Sequence, residues 1–391
     1  MASILLFNTS FKNKGDALMN EAIVRELGDG HDWAAPASLH FTSRREARGY
    51  RVCLVSDLPG ATWKQRTFNR VVSVSAALAH IAGPELRRRI GVCIVEDIDV
   101  AMDVSGYCYG DVWGQEKIEW GVRTYKRLHR AGACVILMPK TWGPFEKISK
   151  ASVREMLRFV DLAFARDENS KSTLDEIVPA ERSNVRFAPD YTHKVASSGG
   201  VESGPGDVAY VIPSYRVIDS GALDKAMYYR VLSDARRILE KRGLVPKLLI
   251  HESSNDLQFV DDVGELGFSV NDVVVFDDPV ELKNAISTAA AVVTSRLHGL
   301  YNALNSAVPV AVVAWVFKYR EALRQYGCEE CLVDLTNPIG SLHSVLEMIT
   351  DNSHAELLKS KMRAGKAYSD LATAAMWTEI RDLILPFDGP G

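Results

Sequence analysis

The sequence predicts an α/β protein made of two Rossmann-like domains, each with a parallel sheet, that face each other across a cleft. Apolar runs rich in β-branched residues alternate with amphipathic helical patterns in both halves of the chain, which is typical of parallel sheets covered by helices. At 391 residues the chain is long for one domain. Residues 197–206 hold four glycines, three serines and a proline, which indicates a linker. We therefore expect an N-terminal domain at 1–196, a C-terminal domain at 207–350, and a helical segment at 351–391 that packs back on the first domain.

The first half of the chain contains five clear candidate strands separated by helical patterns. Residues 28–49 show no clear period, and 92–102 form an extended apolar run that contains three acids. The strands are predicted at 3–7, 51–56, 134–138, 162–165 and 185–187, and the helices at 15–27, 63–89 with an interruption at Gly83-Pro84, 116–131, 153–159 and 171–177.

The second half repeats the same alternation after the predicted linker, which favours a second parallel sheet. Its strands are predicted at 208–212, 247–251, 273–276, 289–293 and 310–314, and its helices at 222–241, 256–266, 280–288, 296–306, 317–326, 341–350 and 354–385.

Composition and charge exclude several classes of protein. The net charge of −4 gives no general case for nucleic-acid binding, and we interpret the short run Arg87-Arg88-Arg89 as a solvated helix end. No stretch reaches about 18 apolar residues, so no transmembrane helix is predicted. The N-terminus lacks the basic region and the apolar length of a signal peptide. Six cysteines, several of them within apolar runs, indicate reduced core thiols and a cytoplasmic protein.

The strongest candidate site is the strand end that leads into the helical pattern at 296–306. The apolar strand at 289–293 breaks at Thr294-Ser295, so Arg296 and His298 fall where the strand's carboxyl end meets a helix start. A helix N-terminus offers free N–H groups and partial positive charge, and an arginine grips a carboxylate or phosphate in two places. Because a histidine can exchange a proton near neutral pH, the pattern predicts an anion site with an acid–base group.

Three other polar patterns have a structural interpretation beside a functional one. The loop at 8–16 has the position of a phosphate-binding loop but not its glycine motif, and Asp16 suits a helix cap as well as a sugar hydroxyl. Asp97 and Asp99 could hold Mg²⁺ or Mn²⁺, although a structural role is favoured for them. Cys328 and Cys331 have CxxC spacing without a second pair or histidines, which disfavours a zinc or redox role.

Aromatic residues are concentrated in two predicted loops, at 105–114 and 139–145. Rings at the mouth of a cleft commonly stack on sugar faces, and a buried loop core is the equally weighted alternative. The residues concerned are Tyr107, Tyr109, Trp113, Trp142 and Phe145.

Four separated segments resemble, in order, motifs of the polysaccharide pyruvyl transferase family. Departures from the family pattern are Lys140 in place of a common Gln, Trp315 in place of a frequent Tyr, and 103–107 in place of a glycine-rich run. The matching segments are Asn13-x-Gly15-Asp16; Pro139-Lys140-Thr141-Trp142-Gly143-Pro144-Phe145; Arg166-Asp167-Glu168-x-Ser170 with Pro189-Asp190; and Ser295-Arg296-Leu297-His298 with Ala303, Pro309 and Lys318.

The resemblance implies a GT-B-like fold and a reaction between two substrates. Phosphoenolpyruvate would be the donor, a sugar diol of a polysaccharide or its precursor the acceptor, and a cyclic pyruvate ketal and phosphate the products. No metal or other cofactor is expected, because arginines and helix dipoles can carry the anion's charge.

The resemblance and the chemistry together assign roles to named residues. The donor is expected to bind Arg296, Leu297 and His298 of one domain, with Arg166 and, more weakly, Lys318. His298 is the predicted general acid, because a donor anion beside it would favour the imidazolium. Hydroxyl deprotonation is assigned to either Asp16 or Asp103, and Arg296 and Asp16 complete the catalytic set. Residues predicted to face the acceptor are Asn13, Asp16, Asp103, Tyr107, Tyr109, Trp113 and Trp142.

Two other functions remain open at this point. A GT-B nucleotide-sugar glycosyltransferase would use the same arginine and helix start for a diphosphate, and a non-catalytic relative would bind sugar within an envelope-assembly complex. The sequence does not identify the acceptor sugar or the oligomeric state. A lipid-linked acceptor would bring the chain to the inner face of a membrane as a peripheral protein.

Overall fold

Two compact units make up the chain, and a computed structural model describes most of it. Unit 1 comprises Met1–Phe11, Met19–Tyr191 and Ala372–Gly391, and unit 2 comprises Lys12–Leu18 and Thr192–Leu371. The described residues are 1–10, 13–38, 49–55, 63–179, 184–195, 206–251 and 256–387.

Unit 1 is built on an eight-stranded sheet whose paired neighbours all run parallel, in the order β4-β3-β2-β1-β5-β6-β7-β8. The central strand is buried over its whole length, as expected for a parallel strand covered on both faces. Its last residue, Phe7, pairs in register with Asp103, which places Asp103 at the carboxyl edge of the sheet. The strands are β1 Ser3–Phe7, β2 Asp32–Pro36, β3 Arg51–Cys53, β4 Val92–Cys93, β5 Val100–Asp103, β6 Cys134–Lys140, β7 Leu162–Ala165 and β8 Val185–Phe187.

Two helices of unit 1 begin at a side-chain cap, Ser149 for the helix from Lys150 and Asp167 for the helix from Glu168. Asp167 caps its helix, and its carboxylate accepts a hydrogen bond from the Ser170 N–H at 2.8 Å. The segment Arg166-Asp167-x-x-Ser170 is therefore a strand-to-helix turn. The helices here are α1 Lys14–Leu27, which begins in unit 2 and ends in unit 1, α2 Trp63–Ile81, α3 Pro84–Arg89, α4 Gly114–Arg130, α5 Lys150–Leu157 and α6 Glu168–Ile177.

Unit 2 contains a second parallel sheet, with the order β11-β10-β9-β12-β13. The strands are β9 Val208–Ile212, β10 Val245–Ile250, β11 Val273–Val275, β12 Ala291–Thr294 and β13 Val310–Val312. The helices are α7 Arg216–Asp219, α8 Lys225–Lys241, α9 Gln258–Asp261, α10 Pro279–Ser287, α11 Leu297–Asn305, α12 Lys318–Gln325, α13 Pro338–Thr350 and α14 Asn352–Ile384, of which the last continues into unit 1.

The prediction of two parallel-sheet α/β domains is confirmed, with local differences. Strand β2 lies where no period was visible, since Asp-Trp-Ala-Ala-Pro lacks a β-branched run. The extended run 92–102 is divided into β4, a short 3₁₀ turn at Val95–Asp97 and β5. Of the predicted linker, 197–205 lie outside the described residues, while the Gly206 N–H donates to the carbonyl of Thr288 at 3.3 Å.

The units do not follow the predicted domain bounds. Residues 351–371 belong to unit 2, and the rest of α14 belongs to unit 1, where Arg381 pairs with Glu26 at 2.9 Å and Glu379 pairs with Arg186 at 3.0 Å. The start of α1 also belongs to unit 2. The chain therefore passes from one unit to the other within α1 and within α14, and also near residues 11 and 191.

The cysteines and the helices give two further observations. Each cysteine is buried and free, and burial raises the pKa of the Cys134 and Cys328 thiols to about 12. Among the described helices none is both long and apolar enough to span a membrane.

Leu239 of α8 is fully buried against the unit 2 sheet, so its truncation should create a cavity. We expect Leu239→Ala to lower the free energy of unfolding by about 2–5 kcal/mol, because transfer and cavity terms add. Leu371→Ala is the matched control, since that side chain is 75% exposed. Urea denaturation followed by circular dichroism measures both, and equal losses for the two variants would contradict the assigned core.

Candidate functional site

The turn between β12 and α11 is shaped by Thr294. The Thr294 hydroxyl accepts a hydrogen bond from the Arg296 N–H at 3.0 Å and donates one to the Arg296 carbonyl at 3.1 Å. Arg296 is thus the extended N-cap residue, and the helix begins at Leu297, one residue later than predicted. The outward N–H groups of the first helical turn lie at the carboxyl edge of the unit 2 sheet.

Arg296 is held by a buried carboxylate. Its Nε donates to Asp256 at 2.9 Å, its Nη2 contacts the second oxygen of the same carboxylate, and Asp256 is fully buried. Asp256 also accepts the Tyr215 N–H at 3.1 Å. One edge of the guanidinium therefore faces Asp256, so Arg296 is a positioned cation rather than the open fork that the sequence suggested.

The start of α1 packs directly on His298. A Cβ on Gly15 would lie 2.0 Å from Nδ1 of the half-buried His298, so only glycine fits. The Asn13 side chain accepts the Gly15 N–H at 3.0 Å, and the buried Lys14 donates to the carbonyl of Asp277. Asn13 and the half-buried Asp16 lie within two residues of Gly15, in the segment that packs on His298, and their predicted contact with an acceptor stays a prediction.

His251 is a site residue that the sequence analysis missed. It follows β10 at the same sheet edge, is 3% exposed, and neither ring nitrogen has a hydrogen-bond partner in the described part of the chain. Burial, followed by the charges of Arg296, His298 and Lys14, lowers its pKa well below the usual 6.5. We call Lys14, His251, Arg296 and His298 the basic cluster. The signal that could have identified it is its position at the end of the predicted strand 247–251, in the same half of the chain as Arg296.

Hydrogen bonds from two tyrosine hydroxyls stabilise the turn between β12 and α11 at Ser295. Tyr228 donates to the Ser295 hydroxyl at 2.8 Å, Tyr319 donates to the Ser295 carbonyl at 2.7 Å, and Trp315 donates to the Tyr319 hydroxyl at 2.8 Å. The ammonium of Lys318 lies 5.0 Å from the Trp315 ring centroid. Lys318 is therefore at the start of α12 and close to the same turn, which suits its weaker predicted role.

Asp103 does not have the exposure that a hydroxyl base needs. It is fully buried, forms an ion pair with the equally buried Lys140, and accepts hydrogen bonds from Ser105 at 2.6 Å and Asn8 at 2.8 Å. Lys140 holds the Asp103 pKa below its usual value although burial acts in the opposite direction. The prediction of Asp103 as a base or acceptor ligand is therefore corrected to a structural anchor of unit 1.

The aromatic loops are only partly a surface. Tyr109 and Trp142 are buried and stacked on each other, with ring centroids 5.2 Å apart, so they form a loop core and do not offer a sugar-stacking face. Tyr107 is half-buried and donates to the Gly143 carbonyl at 3.2 Å, while Trp113 is 46% exposed. Of the predicted acceptor rings, these two remain accessible.

Arg166 belongs to unit 1 and is 1% exposed. Its guanidinium contacts Asp190 at 3.6 Å and donates to the Thr141 hydroxyl at 3.0 Å. A Cβ on Gly106 would lie 3.3 Å from Nη1, so the loop after β5 packs against it. Arg166 thus connects two of the four family-like segments within unit 1, its own and 139–145, and its predicted contact with a donor stays a prediction.

The two carboxylates considered as metal ligands, Asp97 and Asp99, both accept hydrogen bonds from other protein groups. Asp97 binds the buried Arg87 at 2.7 Å, and Asp99 accepts the Ser3 N–H at 2.8 Å. No group of three or more potential metal ligands occurs among the described residues. Arg87 is therefore not the solvated residue that the basic run suggested.

The two parallel-sheet domains, with a basic cluster at a helix start, define a protein of the GT-B class. A family model for polysaccharide pyruvyl transferase matches residues 13–315, so the chain belongs to the polysaccharide pyruvyl transferase family. The match includes Gly15, Arg296 and His298 and ends at Trp315. No curated protein sequence matches the chain significantly.

Several solved structures share this fold. The chain is similar to MnaA of S. aureus in a co-structure with UDP, with a TM-score of 0.56 and 12% identity over 94% of this chain and 91% of that one. UDP-GlcNAc 2-epimerase of Neisseria meningitidis bound to UDP-GlcNAc gives 0.54 and 12% over 97% and 100%. Anabaena HepE in complex with UDP gives 0.52 and 11% over 99% and 100%. At these identities the likeness shows the fold alone.

Gly15→Ala tests the contact on which the basic cluster is built. The added methyl must displace the His298 ring or the start of α1, so we expect binding of the donor that the resemblance implies, phosphoenolpyruvate, to weaken at least about tenfold, or about 1.4 kcal/mol. Gly264→Ala is the matched control, because nothing lies within 4 Å of its added Cβ. Isothermal calorimetry measures both variants, and unchanged affinity in Gly15→Ala would show that this contact does not shape the binding site.

Proposed function

We propose that the chain transfers the pyruvyl group of phosphoenolpyruvate to two hydroxyls of a sugar, forming a cyclic ketal and releasing phosphate. The observation that carries this proposal is the basic cluster at a helix start, in a chain of the pyruvyl transferase family. Phosphoenolpyruvate has a carboxylate and a phosphate, and both suit cationic side chains beside outward N–H groups. No metal or cofactor enters the proposed reaction.

The proposed reaction balances with groups of the cluster. A proton adds to the methylene carbon of the donor, one sugar hydroxyl forms a bond to C2, the C2–phosphate oxygen bond breaks, and the second hydroxyl closes the ketal. In the net balance, one of the two hydroxyl protons is accounted for by the new methyl group and the other by the released hydrogen phosphate. His298 is the proposed general acid, since Gly15 fixes its ring and Arg296 lies two residues before it.

The remaining roles divide between charge and deprotonation. Arg296, oriented by Asp256, and the N–H groups of Leu297 and His298 are proposed to bind the donor's anionic groups. Asp16 replaces Asp103 as the proposed base, because it is half-buried in the turn of α1 that contacts His298. Tyr107 and Trp113 are the proposed rings for the acceptor sugar.

A nucleotide-sugar reaction is the second candidate. The observation that favours it is that three solved structures with a similar fold and TM-scores above 0.5 contain UDP or UDP-GlcNAc. The same helix start could bind a diphosphate. UDP and UDP-sugars therefore belong in every binding panel.

Phosphate release from phosphoenolpyruvate across a panel of pyranosides, with mass detection of the ketal, tests the proposed reaction. We expect His298→Ala to lower the turnover rate about 10²–10⁴-fold, the range for loss of a general acid. His343→Ala is the control, because that histidine is exposed on α13. Full turnover in His298→Ala would contradict the role of His298 as general acid. Release of UDP from a UDP-sugar without formation of any ketal would favour the nucleotide-sugar reaction.

Binding of the donor should change the protonation of His251. Its lowered pKa keeps the ring neutral in the free protein, and a bound anion would oppose the part of the shift that the neighbouring cations cause, so we expect proton uptake on binding. Calorimetry in buffers of different ionisation enthalpy measures the uptake. His251→Gln should take up fewer protons on binding, since glutamine cannot accept one and only His298 is left to respond to the anion, whereas His343→Gln should leave the uptake unchanged. Equal uptake in wild type and His251→Gln would contradict the role of His251.

The same shift makes a prediction for stability. Below about pH 6.5 the unfolded chain binds a proton at His251 that the folded chain does not, so this residue destabilises the fold as the pH falls. Its contribution is fully present above the unfolded pKa. His251→Gln should therefore lose less stability than wild type between pH 7 and acid conditions, measured by the urea midpoint.

A further inference from the structure

The outward face of α2 carries an apolar stripe that nothing in the reaction uses. Val71, Val74, Leu78 and Ile81 are spaced by three, four and three residues, so they share one face of the helix. Leu78 is 65% exposed and Ile81 is 83% exposed. The buried residues of the same helix, Val72 and Ala76, belong to the opposite side. The helix is therefore apolar on two sides, only one of which packs on unit 1.

Basic residues flank the stripe, and α2 contains no acid. Lys64 lies on one side of the stripe, and Arg66 and Arg70 lie on the other; all three are exposed. Trp63, 72% exposed, stands at the start of the helix on the line of the stripe. An exposed apolar stripe with a tryptophan and flanking cations is the pattern of a helix that lies in a lipid–water interface.

The short helix α3 continues the same character. Leu86 and Ile90 are exposed, as are Arg88 and Arg89, whereas Arg87 is buried against Asp97. We call the exposed residues of α2 and α3 the basic–apolar face. Its only acid among the described residues of the two helices is Glu85, which pairs with Arg89 at 2.9 Å.

We infer that the basic–apolar face binds the surface of an anionic lipid bilayer. Its apolar side chains would enter the boundary between head groups and acyl chains, and its arginines and lysine would contact lipid phosphates. A second copy of the chain fits this face less well, because a two-fold interface would bring two basic faces together and α2 contains no acid.

The functional meaning of this membrane-binding surface rests on the proposed function. A protein held at a membrane by unit 1 meets a lipid-linked sugar acceptor, which selects that class of acceptor over a free sugar. Binding to lipid can nevertheless be measured without turnover, so the inference and the reaction can fail separately.

Sedimentation with vesicles tests the inference. We expect the full chain to bind vesicles of phosphatidylcholine mixed with phosphatidylglycerol, to bind vesicles of phosphatidylcholine alone much more weakly, and to be released by salt. The double variant Arg66→Gln with Arg70→Gln should bind about thirtyfold more weakly, at roughly 1 kcal/mol for each basic residue. Val74→Ser with Leu78→Ser should lose at least about tenfold in affinity.

The controls separate lipid binding from folding and from catalysis. Leu371→Ser removes an equally exposed leucine outside the face and should bind vesicles like wild type. All variants should keep wild-type phosphate release with a soluble acceptor, since none lies in the basic cluster. Wild-type chain that stays in the supernatant with both vesicles overturns the inference. So does a dimer in light scattering that Val74→Ser with Leu78→Ser dissociates without any lipid binding.

Discussion

The contact between Gly15 and His298 is the constraint on which the site depends. A side chain at position 15 would enter the imidazole, so the start of α1 approaches the second sheet only because that residue is glycine. The contact brings Lys14 and Asp16 to strand ends that are formed more than two hundred residues later in the chain. It also explains how an N-terminal motif and a C-terminal motif of the family serve a single site. Neither motif contains the whole chemistry by itself.

Two buried ion pairs fix the edges of the sheets, and they have different consequences. Asp256 orients Arg296 in unit 2, and Lys140 holds Asp103 in unit 1. Removing one partner of such a pair typically costs about 3–5 kcal/mol, because the other charge stays buried without compensation. The first pair lies beside outward helix N–H groups and presents a cation to a ligand. The second is enclosed by hydroxyls such as that of Tyr125 and leaves Asp103 no access to a substrate.

The sequence predicted the site where local patterns determine local structure. The turn from β12 to α11 was located to within one residue, because a β-branched run followed by Thr294-Ser295 has few other structures. Side-chain direction was not predictable in the same way. Trp142 and Trp113 both lie in aromatic loops, yet one is buried and the other exposed, and this depends on contacts distant in sequence. The role of His251 was not predictable for the same reason, since its charged neighbours come from two separate segments, at Lys14 and at Arg296 to His298.

The cationic side chains of the basic cluster differ in how far their charge is compensated. Asp256 compensates Arg296, whereas the buried Lys14 donates to a carbonyl oxygen, which carries no full charge. His251 avoids adding a further cation by staying neutral. A dianionic or trianionic donor would supply the missing negative charge and at the same time permit His251 to take up a proton. The cluster would therefore bind the donor more strongly as the negative charge of the donor increases. The ketal product keeps only the carboxylate, so it would bind more weakly once phosphate has left. This coupling supports the proposed donor, phosphoenolpyruvate, because its carboxylate and its phosphate are both attached to the same carbon, C2.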